Sequence, residues 1–144
     1  MKDLVITQKI FSKEECEKIL ELPSKLITED SKEAVEQKKK YSKDYGNYPA
    51  KILNNDTWVR ERMETYLSII NEKYFNTQYK GLVDYISIKE YDVNDGFDWH
   101  TDVLNDNRRL GVTIPLSLDC EGGEFEFFQG EVFNVKQEVG VAIV

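Results

Sequence analysis

His100 and Asp102 are the residues whose types and spacing suit metal chemistry. They close residues 91–102, which read Tyr-Asp-Val-Asn-Asp-Gly-Phe-Asp-Trp-His-Thr-Asp. In a strand, residues two apart point to one face with their backbones about 6.6 Å apart, so both side chains can lean onto a single ion. An imidazole and a carboxylate on one face supply two-thirds of the facial triad that holds non-haem Fe(II). His100 is the only histidine in the chain, which leaves the third ligand open. A His-x-Asp pair also arises by chance, and a lone strand histidine is more often a surface or hydrogen-bonded residue. The elements around the pair have to decide.

Those elements divide the chain. Residues 4–6 read as a short strand. Ser12 and Glu15 form a capping box for a helix carrying Cys16, Ile19, Leu20 and Leu22, with Phe11 placed to staple onto it and Pro23 at its end. Residues 29–50 are polar and charged, and predict a long surface loop with some helix around 32–37. Tyr41, Tyr45 and Tyr48 suggest a lid or substrate edge there, or simple surface packing. Residues 58–73 place Val59, Met63, Leu67 and Ile70 at helical intervals, with Tyr66 and Ile69 beside them.

After Gly81 the period changes to two. Residues 85–91 predict a strand, and residues 92–96 a loop into the 97–102 segment. Leu110, Val112, Ile114, Leu116 and Leu118 share one face of the next run. Pro115 within that run implies a bulge or an edge. Residues 124–128 and 131–135 flank a Gln129-Gly130 turn as a hairpin, and residues 139–144 have the character of a buried strand. The expected architecture is one α+β domain over residues 1–144. Helical support in 1–80 packs on antiparallel strands in 81–144, arranged as an incomplete jelly-roll.

Composition narrows the function. The chain has 144 residues, 40% hydrophobic, with a net charge of −8. It suits one globular domain. No apolar run reaches membrane-spanning length, and the start lacks a signal sequence, so a cytoplasmic protein is expected. An acidic protein repels phosphate backbones, which makes nucleic acid an unlikely partner. Lys38-Lys39-Lys40 reads as a solvated run, and Cys16 and Cys120 as ordinary thiols.

The pattern Tyr91-x4-Gly96-x3-His100-x-Asp102 is followed by Arg108-Arg109-Leu110-Gly111-Val112, Leu116-Ser117 and Gly122-Gly123-Glu124-Phe125-Glu126-Phe127. Together these resemble the Fe(II)- and 2-oxoglutarate-dependent dioxygenases, in particular the prolyl 4-hydroxylase-like family with its short bacterial and phage members. The resemblance runs from about residue 86 to 144, and more loosely over the helix start at 11–16.

The resemblance implies His100 and Asp102 as iron ligands and Tyr91 as a tyrosine whose hydroxyl reaches 2-oxoglutarate. A core aromatic with a satisfied hydroxyl is the plainer role for Tyr91. Gly96 would permit the loop before the ligand segment, Gly122-Gly123 would be a turn, and Trp99 and Thr101 would pack away from the metal. A second 2-oxoglutarate tyrosine of some relatives has no counterpart at Ile114-Pro115-Leu116. The implied reaction hydroxylates a protein side chain (prolyl by analogy) or a small molecule, with release of succinate and CO2. Ascorbate is the family's accessory reductant.

The family's third ligand is a second histidine on a later strand, followed by a basic residue for 2-oxoglutarate. Neither occurs here, so the expectation is a chain cut short of both, inactive alone, with an exposed barrel edge prone to self-association. Two alternatives stay open. One is a non-enzymatic binding or structural module. The other is a different metal enzyme, completed by Glu121 or Glu124.

Overall fold

The computed structural model describes residues 5–41, 49–54, 57–82, 85–101 and 109–144. Its elements in order are strand β1 (Thr7–Lys9), helix α1 (Lys13–Leu20), β2 (Ser24–Ile27), α2 (Lys32–Tyr41), β3 (Ala50–Leu53) and α3 (Trp58–Ile70). A π-helical turn (Asn71–Phe75), β4 (Ser87–Ile88), β5 (Phe125–Phe128), β6 (Val132–Val135) and β7 (Val141–Ile143) follow. The fold mixes helices with antiparallel sheets, none of them closed among the described residues.

The capping box predicted for α1 is present. The Glu15 N–H donates to Ser12 Oγ at 3.0 Å, and the Ser12 N–H to Glu15 Oε1 at 3.1 Å. Two of the four unpaired amides of the first turn are thereby satisfied. In α3 the predicted stripe of Val59, Met63, Leu67 and Ile70 is buried, whereas Ile69 faces solvent.

The core forms where the two halves of the chain meet. Ile10, Phe11, Cys16 and Ile19 pack with Leu53, Val59, Met63 and Ala142. β1 runs antiparallel to β7, pairing Thr7 with Ile143 and Lys9 with Val141. Ile6 and Val144 extend the ladder by exchanging both backbone bonds at 2.9 Å. The first strand thus lies slightly later than the 4–6 expected. On the other side of β7, Thr113 and Ile143 exchange bonds of 3.0 and 2.8 Å.

Arg62 links α3 to this junction. Its guanidinium lies 5.5 Å from the Phe11 ring centroid and 5.4 Å from that of Trp58. It also reaches the Glu15 carboxylate at 2.8 Å and donates to the Ile10 carbonyl at 3.2 Å.

Three expectations change. Much of the predicted 29–50 loop is helix α2, which runs on past residue 37 to Tyr41. Ala34, fully buried, anchors it. Glu33 pairs with Lys25 of β2, and Lys38 with Glu29 at 3.2 Å. Tyr45 and Tyr48, read with Tyr41 as a lid or substrate edge or as surface packing, lie outside the described residues. Second, the strand expected over 85–91 shrinks to β4, which pairs with β3 as the edge of the β2-β3-β4 sheet.

Third, the run after Arg109 keeps its alternation in burial but, among the described residues, makes only the Thr113 bridge. Pro115 explains why, since it has no N–H to donate. Its carbonyl accepts from Gly140 at 2.9 Å, one residue out of the register that Thr113 and Ile143 set. This is the irregularity expected at a proline within a ladder. The predicted hairpin is present: β5 pairs with β6 from Phe125–Val135 to Phe128–Val132.

Candidate functional site

His100 lies in an irregular, exposed segment, and residues 97–101 form no ladder. The strand geometry assumed from the sequence is therefore not what positions it. Its Nδ1 lies 2.7 Å from the Asp98 carbonyl oxygen. A carbonyl oxygen can only accept, so Nδ1 carries the proton. In the neutral ring the lone pair then sits on Nε2. Metal-binding histidines are commonly oriented in this way, by a backbone carbonyl on the other nitrogen.

Phe97 lies beside the ring. Its centroid lies 5.5 Å from that of His100 and 6.2 Å from that of Tyr91. Tyr91 and His100, nine positions apart in sequence, thus flank one phenyl ring. The turn between them is held locally. The Asp95 N–H donates to the Asp92 carbonyl at 3.0 Å, and the Asp92 N–H donates back to Asp95 Oδ2 at 2.8 Å. Asn94 completes the turn in the left-handed region at φ 72°. Trp99 turns the other way, onto Phe128 of β5 at 6.4 Å with the rings near perpendicular. Both rings remain more than half exposed.

Tyr91 and Gly96 border a cleft of about 330 Å³ against the edge of β4, with Lys51, Ile88, Asp92 and Leu26 among its walls. Lys51 bridges to Glu90 at 2.7 Å. The Lys51 hydrogen bond holds the Glu90 carboxyl below the usual carboxylate range. Lys89 donates to the Pro49 carbonyl at 3.0 Å.

Asp102 lies outside the described residues, so its distance from His100 is not part of this geometry. Glu121 and Glu124, the alternative ligands, are exposed beside the Gly122-Gly123 turn. Among the described residues, no group of three His, Cys, Asp or Glu side chains is arranged to hold a metal. Among the described residues the His100 imidazole is the one candidate ligand of the proposed pair, with Nδ1 turned to the Asp98 carbonyl.

Sequence reasoning missed Phe97 as the shared neighbour of Tyr91 and His100, and the Asp98 carbonyl as the imidazole's partner. The aromatic spacing Tyr91, Phe97, Trp99 was the available signal for the first. A backbone carbonyl carries no side-chain signature. Among the described residues, no helix is long and apolar enough to cross a membrane. Comparison of the chain with protein-family models, curated proteins and solved structures finds no match.

Proposed function

We propose that this chain carries the iron- and 2-oxoglutarate-binding part of a dioxygenase of the prolyl 4-hydroxylase-like kind, built on jelly-roll strands. It would hydroxylate a protein side chain or a small molecule, with release of succinate and CO2. The observation that carries this reading is the Tyr91-x4-Gly96-x3-His100-x-Asp102 spacing, in a segment where Tyr91 and His100 share Phe97.

His100 would hold the ion through Nε2, together with the Asp102 carboxylate. The Tyr91 hydroxyl would orient the 2-oxoglutarate. The bound metal supplies open coordination positions for the cosubstrate and O2. The protein's own share would be orientation: the Asp98 carbonyl would hold the tautomer, with Phe97 beside the ring.

Because His100 is the only histidine, one set of imidazole signals reports on the site. Titration with Mn(II), followed by NMR, should broaden those signals selectively, and Asp102→Ala should weaken the effect. An imidazole that stays sharp at the highest Mn(II) the protein tolerates overturns the reading.

A further inference from the structure

The net charge of this protein is unevenly distributed. Residues 81–144 hold 13 Asp and Glu against 4 Lys and Arg, while residues 1–80 hold 14 against 15. All of the excess negative charge therefore lies in the half that carries His100. Several of these carboxylates alternate with exposed aromatic rings. Tyr91, Phe97, Trp99 and Phe128 are each more than half exposed. Asp92 and Asp98, also exposed, adjoin the first three in sequence.

The rings form two neighbouring groups, joined through the chain at Asp98. Tyr91 contacts Phe97 at 6.2 Å, Phe97 contacts His100 at 5.5 Å, and Trp99 contacts Phe128 at 6.4 Å. Beyond Phe128, the exposed face of the β5–β6 hairpin continues through Glu126 and Val132. Large exposed aromatic rings gathered on one segment and the adjoining hairpin point to an interaction site. Aromatic faces bordered by carboxylates suit guanidinium and ammonium groups, which stack on the ring and pair with the acid.

We infer that this face docks a lysine- and arginine-rich polypeptide segment and presents it to the His100 site. The inference rests on the proposed oxygenase reading and assigns its substrate class. A chain with repeated cations fits better than one small cation, because the aromatic and acidic groups recur from the Asp92 turn to the hairpin. The negative field would also draw such a segment toward the site at low salt.

The test is fluorescence anisotropy of three short labelled peptides, Lys/Arg-rich, neutral and Glu-rich, without metal or cosubstrate. The basic peptide should bind, and binding should fall with salt. Trp99→Ala, and the pair Asp98→Asn with Glu126→Gln, should each weaken it about tenfold while thermal melts stay unchanged. Equal binding of the neutral or Glu-rich peptide overturns the inference. So does full binding by the variants, absence of binding, or self-association that buries Trp99 in sedimentation. If the basic peptide binds as stated but Mn(II) never broadens His100, the docking surface stands and the oxygenase reading fails.

Discussion

Gly140 lies against the backbone of Phe11 so closely that a Cβ built on it would overlap the Phe11 carbonyl oxygen and stand 2.9 Å from its carbonyl carbon. The Gly140 carbonyl in turn accepts from both Ile10 and Phe11, at 2.9 and 3.1 Å. This contact seats the start of β7 on the turn between β1 and α1, and so joins the two ends of the chain at the core.

Gly140→Ala should therefore be severe. Its φ of +79° disfavours any side chain, and the overlap involves backbone that cannot rotate away. A left-handed alanine costs roughly 1–2 kcal/mol, and the displaced Phe11 and Ile10 bonds add to it, so a loss of about 3 kcal/mol or more is expected. Urea unfolding at neutral pH checks this. A variant within experimental error of wild type would show that the β1–β7 junction is not built as described.

Asn71 ends α3 by a device specific to its side chain. Its Oδ1 accepts from the Thr77 N–H at 3.0 Å and from the Thr77 hydroxyl at 2.6 Å, while its Nδ2 donates to the Thr77 carbonyl at 3.0 Å. Asn71 is the buried polar residue of the described core. Asn71→Ala leaves the part-buried Thr77 amide and carbonyl without these partners, a cost of about 2–3 kcal/mol. Thermal melts read the loss, and Asn71→Asp should recover only part of it, since a carboxylate keeps the Oδ1 acceptor but sets its second oxygen against the Thr77 carbonyl in place of the Nδ2 donor.

Local signals in the sequence reached the structure intact. The Ser12–Glu15 box, the Val59–Met63–Leu67–Ile70 stripe and the hairpin around Gly130 depend on neighbours within a few positions. Helix α2 was obscured because its residues are mostly charged. Its buried Ala34 and its pairs to Lys25 and Glu29 become visible only once β2 is in place. The β1–β7 pairing joins residues more than 130 positions apart, and nothing local specifies it. At the candidate site the residue types were legible and the backbone was not. The Asp98 carbonyl bonds the imidazole two residues on, a local alternative to the strand expected there.

The Glu15–Arg62 pair makes stability pH-dependent on the acid side. The Arg62 hydrogen bond, and after it the Ser12 N–H, hold the Glu15 carboxyl below its usual range. A group with a depressed folded-state pKa contributes stability above its unfolded pKa and loses it as pH falls through the folded value. The melting-temperature gap between wild type and Glu15→Gln should therefore be full at neutral pH. It should close in acid, below the ordinary glutamate range. Melts across that pH series check the sign, and a gap that widens in acid contradicts it.

On the proposed reading His100 and Asp102 are the two ligands assigned, and two protein ligands hold a divalent ion weakly, so weak Mn(II) binding and little succinate release are expected. His100→Ala should abolish what binding there is. Phe97→Ala tests positioning rather than ligation, because it leaves both His100 and Asp102 in the chain while removing the ring 5.5 Å from the imidazole. The hydrogen-bonding partner of the imidazole, the Asp98 carbonyl, remains in this variant, so the loss of metal affinity should be smaller than that for removing such a partner, about tenfold at most. Mn(II) broadening of the His100 signals measures the shift, and Phe97→Tyr should restore affinity. Tight one-to-one binding by the wild-type chain would instead mean that a further side chain completes the site. Loss of that affinity in Glu124→Gln or Glu121→Gln would identify which.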